Sequence, residues 1–243
     1  MASNSFRVRD IKQSVSVFHQ VAQELGEVLE RRGGAATDIQ PLMQNATLAA
    51  FTSLSFGQRL AEVQERETEF AVHFNRLTSS ALSRIANPLW RLMPWLPSER
   101  AIRESARFID ALADRVIASS AGKETLLSPF FELEMEQARK QRLLRDVLVN
   151  FLVAGRDTTS VTLSSALHFL AENPAVQARL HDEISAAMGD AQSEPDMAQH
   201  LEGRLPFLSA VLKETMRLAP AVPIDPKVGR RWVVFFCPVV FFF

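Results

Sequence analysis

The sequence holds little cysteine and little glycine, and it has no long apolar run. Its single cysteine, Cys237, excludes disulfides within the chain and any zinc site of the CxxC type. The 5 histidines include no HExxH pair, which excludes the zinc-peptidase spacing. Only 9 glycines stand among long runs of apolar residues at helical spacing, so helix is favoured over sheet.

Charge and hydropathy exclude further classes. A formal net charge of −1 gives no basic field, so no nucleic-acid partner is expected. No signal peptide is visible at the beginning of the chain, and no stretch reaches the ~20 apolar residues that span a bilayer. On these features alone, the chain itself is expected in the cytoplasm. A composition that is 47% hydrophobic and 23% charged is that of a folded domain.

Most of the chain shows the 3.6-residue apolar periodicity of helices with short breaks between them. Asp38 is the predicted N-cap of the second helix, and Pro174 and Pro206 are predicted to begin the last two. The first five helices are predicted over residues 11–31, 38–57, 62–84, 98–120 and 139–171, with an apolar turn over residues 87–97.

The helix predicted over residues 139–171 is the most informative. It is far longer than the typical 11–12 residues or so, and therefore is expected to cross the whole domain. One stripe of mean spacing 3.6 runs along it, formed by Leu144, Leu148, Phe151, Gly155, Thr158 and Thr162.

A run of poor helix formers interrupts this helix at Ala154-Gly155-Arg156-Asp157-Thr158-Thr159. Glycine costs about 1 kcal/mol against alanine within a helix. The Thr158 hydroxyl can bond to the Ala154 carbonyl and bend the helix. Two interpretations stay open from spacing alone. A flat cofactor could press against the helix, with a proton path at a local bulge, or a second helix could cross closely at the small residue.

A second pattern, Glu214-Thr215-Met216-Arg217, places an acid and a base three residues apart on one helical face. Taken alone, this is an ordinary exposed pair worth about 0.2–0.5 kcal/mol. The acid–base pair becomes informative only together with the motif of the long helix, which it follows along the chain.

That order is where the sequence resembles the cytochromes P-450, the haem-thiolate monooxygenases. NFLVAGRDTTS resembles their central oxygen-activating helix, LKETMRLAPAVPIDPK resembles their ExxR helix and the proline-rich turn after it, and FLAENPAVQARLHDEISAAMGD resembles the sequence between them. DIQPLMQNATLAAFTSLSFG resembles an earlier helix of the fatty-acid-hydroxylating groups, although Ala49 stands where those usually carry Asp. The resemblance implies a mainly α, partial cytochrome P-450 fold.

The resemblance also implies roles for the matched residues. Asp157 and Thr158 would be the acid–alcohol pair that delivers protons to dioxygen on the haem iron, and Ala154 and Gly155 would lie against the haem. Glu214 and Arg217 would form a buried structural ion pair. The reaction implied is insertion of one oxygen atom into a C–H bond of a small hydrophobic substrate, a fatty acid or an alkane. Electrons would come from NADPH through a reductase, at the endoplasmic reticulum membrane.

The chain also departs from the family pattern. Most of the family's β-sheet and the loop that carries the axial cysteine are absent, and no protein ligand to the metal is predicted. Cys237 lies only twenty residues after Arg217, between phenylalanine and proline instead of glycines. Residues 1–229 are therefore expected to form a partial cytochrome P-450 domain, and residues 230–243 an aberrant apolar tail without a packing partner. The alternative for the tail is a buried strand pair around Pro238, because short apolar runs discriminate weakly.

Two functional classes follow from these departures, and a third, a purely structural helical bundle, would explain the helices but not the two patterns in their order. The first is a monooxygenase by descent that is inactive as this chain, because the thiolate that drives O–O cleavage is missing. The second is a non-catalytic helical interaction module that binds a reductase or a full-length relative.

Overall fold

The computed structural model describes residues 15–60, 68–86, 90, 92, 95–123, 125, 127–188, 205–223, 225–228 and 233–236. Within these ranges the chain is mainly helical, as predicted. The helices are α1 (Val15–Arg32), α2 (Ile39–Phe56), α3 (Glu69–Ala86), α4 (Pro97–Ser120), α5 (Ser128–Phe131), α6 (Gln137–Glu172), α7 (Pro174–Met188) and α8 (Pro206–Leu218). The strands are β1 (Asp225–Val228) and β2 (Val233–Phe236). Most of the apolar turn predicted over residues 87–97 lies outside the described residues.

Local chemistry sets the ends of these helices. Asp38 caps α2 as predicted, since its carboxylate accepts a hydrogen bond of 3.2 Å from the backbone N–H of Gln40. Gly57 ends α2 in the left-handed region, with φ at 63°, where a side chain would be strained. Pro97 and Pro206 stand in the first turns of α4 and α8, where a missing N–H removes no helical hydrogen bond.

Helix α6 spans 36 residues, or about 54 Å, and confirms the long helix predicted over residues 139–171. It packs against α2, α4, α5, α7 and α8, so it is the element around which the others assemble. The main core lies along its first half, where it meets α2, α3 and α4. The buried residues of this core are Leu48, Phe56, Phe70, Phe74, Ile109, Ala113, Val116, Ile117, Leu127, Leu144, Leu148 and Leu152.

The buried line along α6 differs from the stripe predicted from the sequence. After Leu148, the predicted stripe continues with Phe151 and Gly155. In the structure, the buried residues after Leu148 are Leu152, Arg156 and Ser160. Steps of four residues turn about 40° further around a helix at each step, so the buried face rotates along α6. A helix that packs against different neighbours at its two ends needs such a rotation, and a fixed 3.6 period misses it.

Near the motif, α6 continues as regular α-helix from Gln137 to Glu172, so the expectation of a local bulge is wrong. The reason is that neighbouring helices support this stretch of α6. Local propensity is outweighed where packing satisfies the polar side chains and occupies the space beside the glycine.

Helix α8 is fixed at its beginning by α7. Both carboxylate oxygens of Glu183 accept hydrogen bonds of 2.9 Å, one from the N–H of Phe207 and one from that of Leu208. The guanidinium of Arg179 lies 4.1 Å from the centre of the Phe207 ring. A carboxylate at a helix N-terminus satisfies unpaired N–H groups and complements the helix dipole, so α7 sets the position of α8.

Strands β1 and β2 pair antiparallel, with Asp225 opposite Phe236 and Val228 opposite Val233. The expectation that residues 230–243 have no packing partner is therefore wrong for Val233–Phe236. Valine and phenylalanine have high strand propensity, which favours pairing with the segment just before them. The boundary between residues 229 and 230 remains a prediction.

Helix α1 covers the outer side of α2. Ala49, at the position where the resembled groups carry Asp, is fully buried there in a cluster with Val21, Val28, Leu42, Ala46 and Ala50. An apolar residue therefore suits this contact. Within the described residues, no helix combines the length and apolar character needed to cross a membrane.

Candidate functional site

The predicted acid–alcohol pair lies at the middle of α6. The Thr158 hydroxyl donates a hydrogen bond of 2.7 Å to the carbonyl of Ala154, one turn earlier, as the sequence predicted. A hydroxyl has one proton to donate and two lone pairs. Its donor is therefore used within the helix, and its lone pairs remain to accept a hydrogen bond from outside.

Gly155 marks a close crossing of two helices. A Cβ built on Gly155 would lie 2.3–2.7 Å from ring carbons of Phe51 on α2, too close for any real side chain. Of the two interpretations that the sequence leaves open, close helix crossing is the one that these atoms display at Gly155. Its predicted contact with haem remains a prediction.

Arg156 is the residue that the sequence did not single out. Its side chain is fully buried, and it reaches acceptors on three helices. Nη1 donates to Asn75 Oδ1 on α3 at 3.0 Å, and Nη2 donates to Gln44 Oε1 on α2 at 2.9 Å. The guanidinium also lies 5.4 Å from the centre of the Phe74 ring. A buried arginine needs this number of partners, because desolvation of an unpaired charge costs several kcal/mol or more.

Asp157 is the anion of this group. Its Oδ1 accepts a hydrogen bond of 2.7 Å from Nη1 of Arg156, and its side chain remains 34% exposed. The carboxylate therefore has one side fixed by a buried cation and another side that water can reach.

Helix α2 presents one face to the motif. Gln44, Thr47 and Phe51 follow one another at helical spacing, three and four residues apart. The Thr47 hydroxyl lies 3.1 Å from the carbonyl oxygen of Arg156 and 2.9 Å from that of Met43, and its one proton is available to either acceptor. The signals available in the sequence for this junction were the Gln44, Thr47 and Phe51 face of α2 and an arginine next to the apolar run of α6.

The opposite side of the motif is open. Ala154 and Val153 are exposed, and Ala154 carries only a methyl group. A small exposed residue beside an acid and an alcohol leaves room for a flat ring, and the contact of this face with haem remains a prediction. The described residues contain no cluster of three or more His, Cys, Asp or Glu side chains able to hold a free metal ion. Cys237 lies outside the described residues.

Glu214 and Arg217 pair on α8 by two hydrogen bonds, of 2.6 and 2.8 Å. The side chains are 56% and 52% exposed, so the burial expected for this pair is not seen among the described residues. The hydrogen bonds from Arg217 lower the pKa of Glu214, and the carboxylate raises the pKa of Arg217. The structural role of the pair remains a prediction.

An apolar groove lies beside this pair, between the end of α6, α7 and α8. Glu214 and Thr215 stand at its polar edge. Its apolar lining is formed by Phe169, Leu170, Val176, Phe207, Ala210, Val211 and Leu218.

Comparison with known proteins identifies the family. The cytochrome P450 family profile matches residues 1–230. Cytochrome P450 86B1 of Arabidopsis thaliana is 30% identical over 241 residues, which cover 87% of this chain and 43% of that protein. Cytochrome P450 52-M1 of Starmerella bombicola is 26% identical over 256 residues, which cover 90% of this chain and 47% of that protein. The chain belongs to the cytochrome P450 family.

The fold agrees with this assignment. A crystal structure of a cytochrome P450, CYP102L1, matches with a TM-score of 0.74 at 19% identity, covering 96% of this chain and 57% of that one. The partial cytochrome P450 fold predicted from the sequence is thereby confirmed. The chain spans roughly half the length of the curated relatives it matches.

Proposed function

We propose that the chain is the oxygen-activating portion of a haem-dependent monooxygenase, which inserts one oxygen atom into a C–H bond. Family membership supports this class of reaction. The observation that carries the proposal is the acid–alcohol pair, Asp157 and Thr158, beside the exposed small residue Ala154 at the centre of the longest helix described. Haem, when bound, supplies the redox chemistry on dioxygen.

Each residue of the motif has a proposed task. Asp157 exchanges protons with water at its accessible side, and the Thr158 hydroxyl would relay a proton, accepting one at a lone pair as its own proton leaves the Ala154 carbonyl and is passed on. Ala154 leaves room for a flat ring against α6. Gly155 allows α2 to approach, which keeps the motif braced from behind.

The substrate proposed is a small hydrophobic molecule, a fatty acid or an alkane. Support comes from the AGRDTT and VPIDPK variants, which resemble the fatty-acid-hydroxylating groups. Electron supply from NADPH through cytochrome P450 reductase, and location at the endoplasmic reticulum membrane, are proposed with it on the basis of the family.

A chimera tests this function. Residues 1–228 of this chain would replace the matched segment of Cytochrome P450 86B1, and turnover of fatty acids and alkanes would be measured with reductase and NADPH. We expect hydroxylation, and a roughly 100-fold loss in Asp157→Asn and in Thr158→Val, a typical contribution of a positioned proton donor. Asp146→Asn, an exposed acid on the same helix, is the control. Equal turnover in all three variants would refute the assigned roles.

We propose further that the 243-residue chain by itself is inactive. Cys237 lacks the flanking glycines of a ligand loop, and its neighbours are bulky. The test is the carbon-monoxide spectrum of the reduced, haem-reconstituted chain beside Cys237→Ala. We expect no thiolate-type band in either. A thiolate-type band that vanishes in the variant would show that Cys237 ligates iron.

A non-catalytic interaction module is the second candidate, favoured by the apolar groove between α6, α7 and α8. Added to an active relative with limiting reductase, such a module would lower turnover in a saturable way, and extra reductase would restore it. Unchanged turnover would exclude this candidate.

A further inference from the structure

The role of the buried Arg156 in the motif does not follow from family membership. A pair of helices can be joined by neutral side chains at least as well as by a buried cation, because desolvation offsets much of the attraction of a buried ion pair. Arg156 is nevertheless fully buried between α2, α3 and its own helix. The burial of Arg156 therefore needs an explanation other than holding the helices together.

The geometry around Arg156 supplies that reason. Gln44 and Asn75 are neutral acceptors on two different helices, and each takes one guanidinium hydrogen bond, at 2.9 and 3.0 Å. They fix the plane of the guanidinium without neutralising it. An anion that it contacts among the described residues is Asp157, at 2.7 Å.

Adjacent residues on a helix diverge by about 100°, so Arg156 and Asp157 do not face each other by default. The guanidinium must be held from outside to meet the carboxylate of its own neighbour. The planar fork of arginine suits this task, because it offers separate donors to separate acceptors, whereas lysine offers one mobile ammonium.

We propose that Arg156 is a positioning residue: braced by Gln44 and Asn75, it holds Asp157 by one carboxylate oxygen and leaves the accessible side of that carboxylate for proton exchange. This inference rests on the proposed function in treating Asp157 as a proton donor. The holding itself is a property of the folded chain and is tested without haem.

A double-mutant cycle measures whether Arg156 holds Asp157. Arg156→Gln, Asp157→Asn and the double variant of the full chain would be unfolded in urea, and the equilibrium constants compared. We expect the two changes to be coupled by roughly tenfold in the unfolding constant. Arg156→Gln crossed with Asp146→Asn should show no coupling. Additive effects in the first cycle would overturn the proposal.

Carboxyl labelling gives a readout that a purely structural role would not move. Carbodiimide-activated labelling of the folded chain would be followed by mass spectrometry at Asp157 and, as an internal reference, at exposed Asp146. Gln44→Ala and Asn75→Ala keep the arginine but each remove one brace, so they are also informative if Arg156→Gln does not fold. We expect each to raise labelling of Asp157 several-fold and to leave Asp146 unchanged. A parallel rise at both positions would mean general loosening and would overturn the proposal.

The conservative variant separates charge from geometry. Arg156→Lys keeps a positive charge but loses the planar guanidinium with its separate donors. Labelling of Asp157 in this variant should therefore be higher than in the natural chain. Full return to the natural value would show that charge alone suffices, against the bracing described here. Failure of the chimera to hydroxylate would refute the proposed function and leave these outcomes untouched.

Discussion

The two charged motifs of this chain have opposite surroundings. Arg156 and Asp157 meet at a junction of three helices, with the arginine fully buried. Glu214 and Arg217 meet on the surface of one helix, with both side chains more than half exposed. Similar ion pairs thus have different consequences, since a buried charge constrains all its neighbours and an exposed pair is screened by water.

The largest effect on the free energy of unfolding is expected from removal of the buried Arg156 guanidinium. Arg156→Ala removes the guanidinium hydrogen bonds to Gln44 and Asn75 and opens space beside Phe74. We expect the free energy of unfolding to fall by about 3 kcal/mol, near the lower end for a broken buried pair because Asp157 remains partly solvated. Urea denaturation measures this, and a change as small as that of an exposed arginine such as Arg142 would contradict the burial.

A somewhat smaller effect is expected at the helix crossing. Gly155→Ala forces a methyl group against the Phe51 ring, and overpacking of this kind costs about 1–3 kcal/mol. Gly26→Ala on α1 is the matched control. A Cβ there meets nothing within 4 Å, so it should stabilise by about 0.5–1 kcal/mol through helix propensity. Thermal melts of both variants give the contrast, and equal signs would refute the close crossing.

At α8, the hydrogen bonds to Glu183 of α7 should contribute more to stability than the exposed pair of Glu214 and Arg217. Glu183→Gln weakens the cap on the N–H groups of Phe207 and Leu208, at a cost of about 1 kcal/mol. Amide exchange at Phe207 and Leu208 should quicken, whereas exchange on α6 should not change. If exchange at the beginning of α8 is unaffected, the cap does not set its position.

The smallest effect is expected for Glu214→Gln. The pKa of Glu214 is lowered by Arg217, so the pair stabilises the fold above the unfolded-state pKa and loses that contribution as pH falls through the folded-state value. The midpoint of thermal unfolding should therefore differ little between Glu214→Gln and the natural chain at neutral pH, and still less at acid pH or high salt. A large difference at neutral pH would show that the pair is buried in solution.

The helices could be predicted because periodicity and end signals are local. Asp38, Pro206 and the apolar repeats needed no knowledge of distant residues. The bracing of Arg156 could not be predicted, because its acceptors Gln44 and Asn75 lie 112 and 81 residues away in sequence. The rotation of the buried face along α6 depends on neighbours that no single-helix pattern records.

The strand pair was missed for a different reason. Short apolar runs do not distinguish a strand from an unpaired segment, and the partner of Val233–Phe236 is the segment just before it.

Amide hydrogen exchange tests the contrast between the two motifs most directly. Helix segments braced by tertiary contacts open only with large parts of the fold, whereas exposed segments open locally. We predict slow exchange at residues 154–160 and faster exchange at residues 214–218, with Arg156→Gln removing much of the protection of the first segment and leaving the second unchanged. Two results would contradict this account. One is equal protection of the two segments in the natural chain, and the other is an equal loss of protection in both segments of the variant. Either would mean that the buried Arg156 junction does not selectively protect the helix segment that carries Asp157 and Thr158.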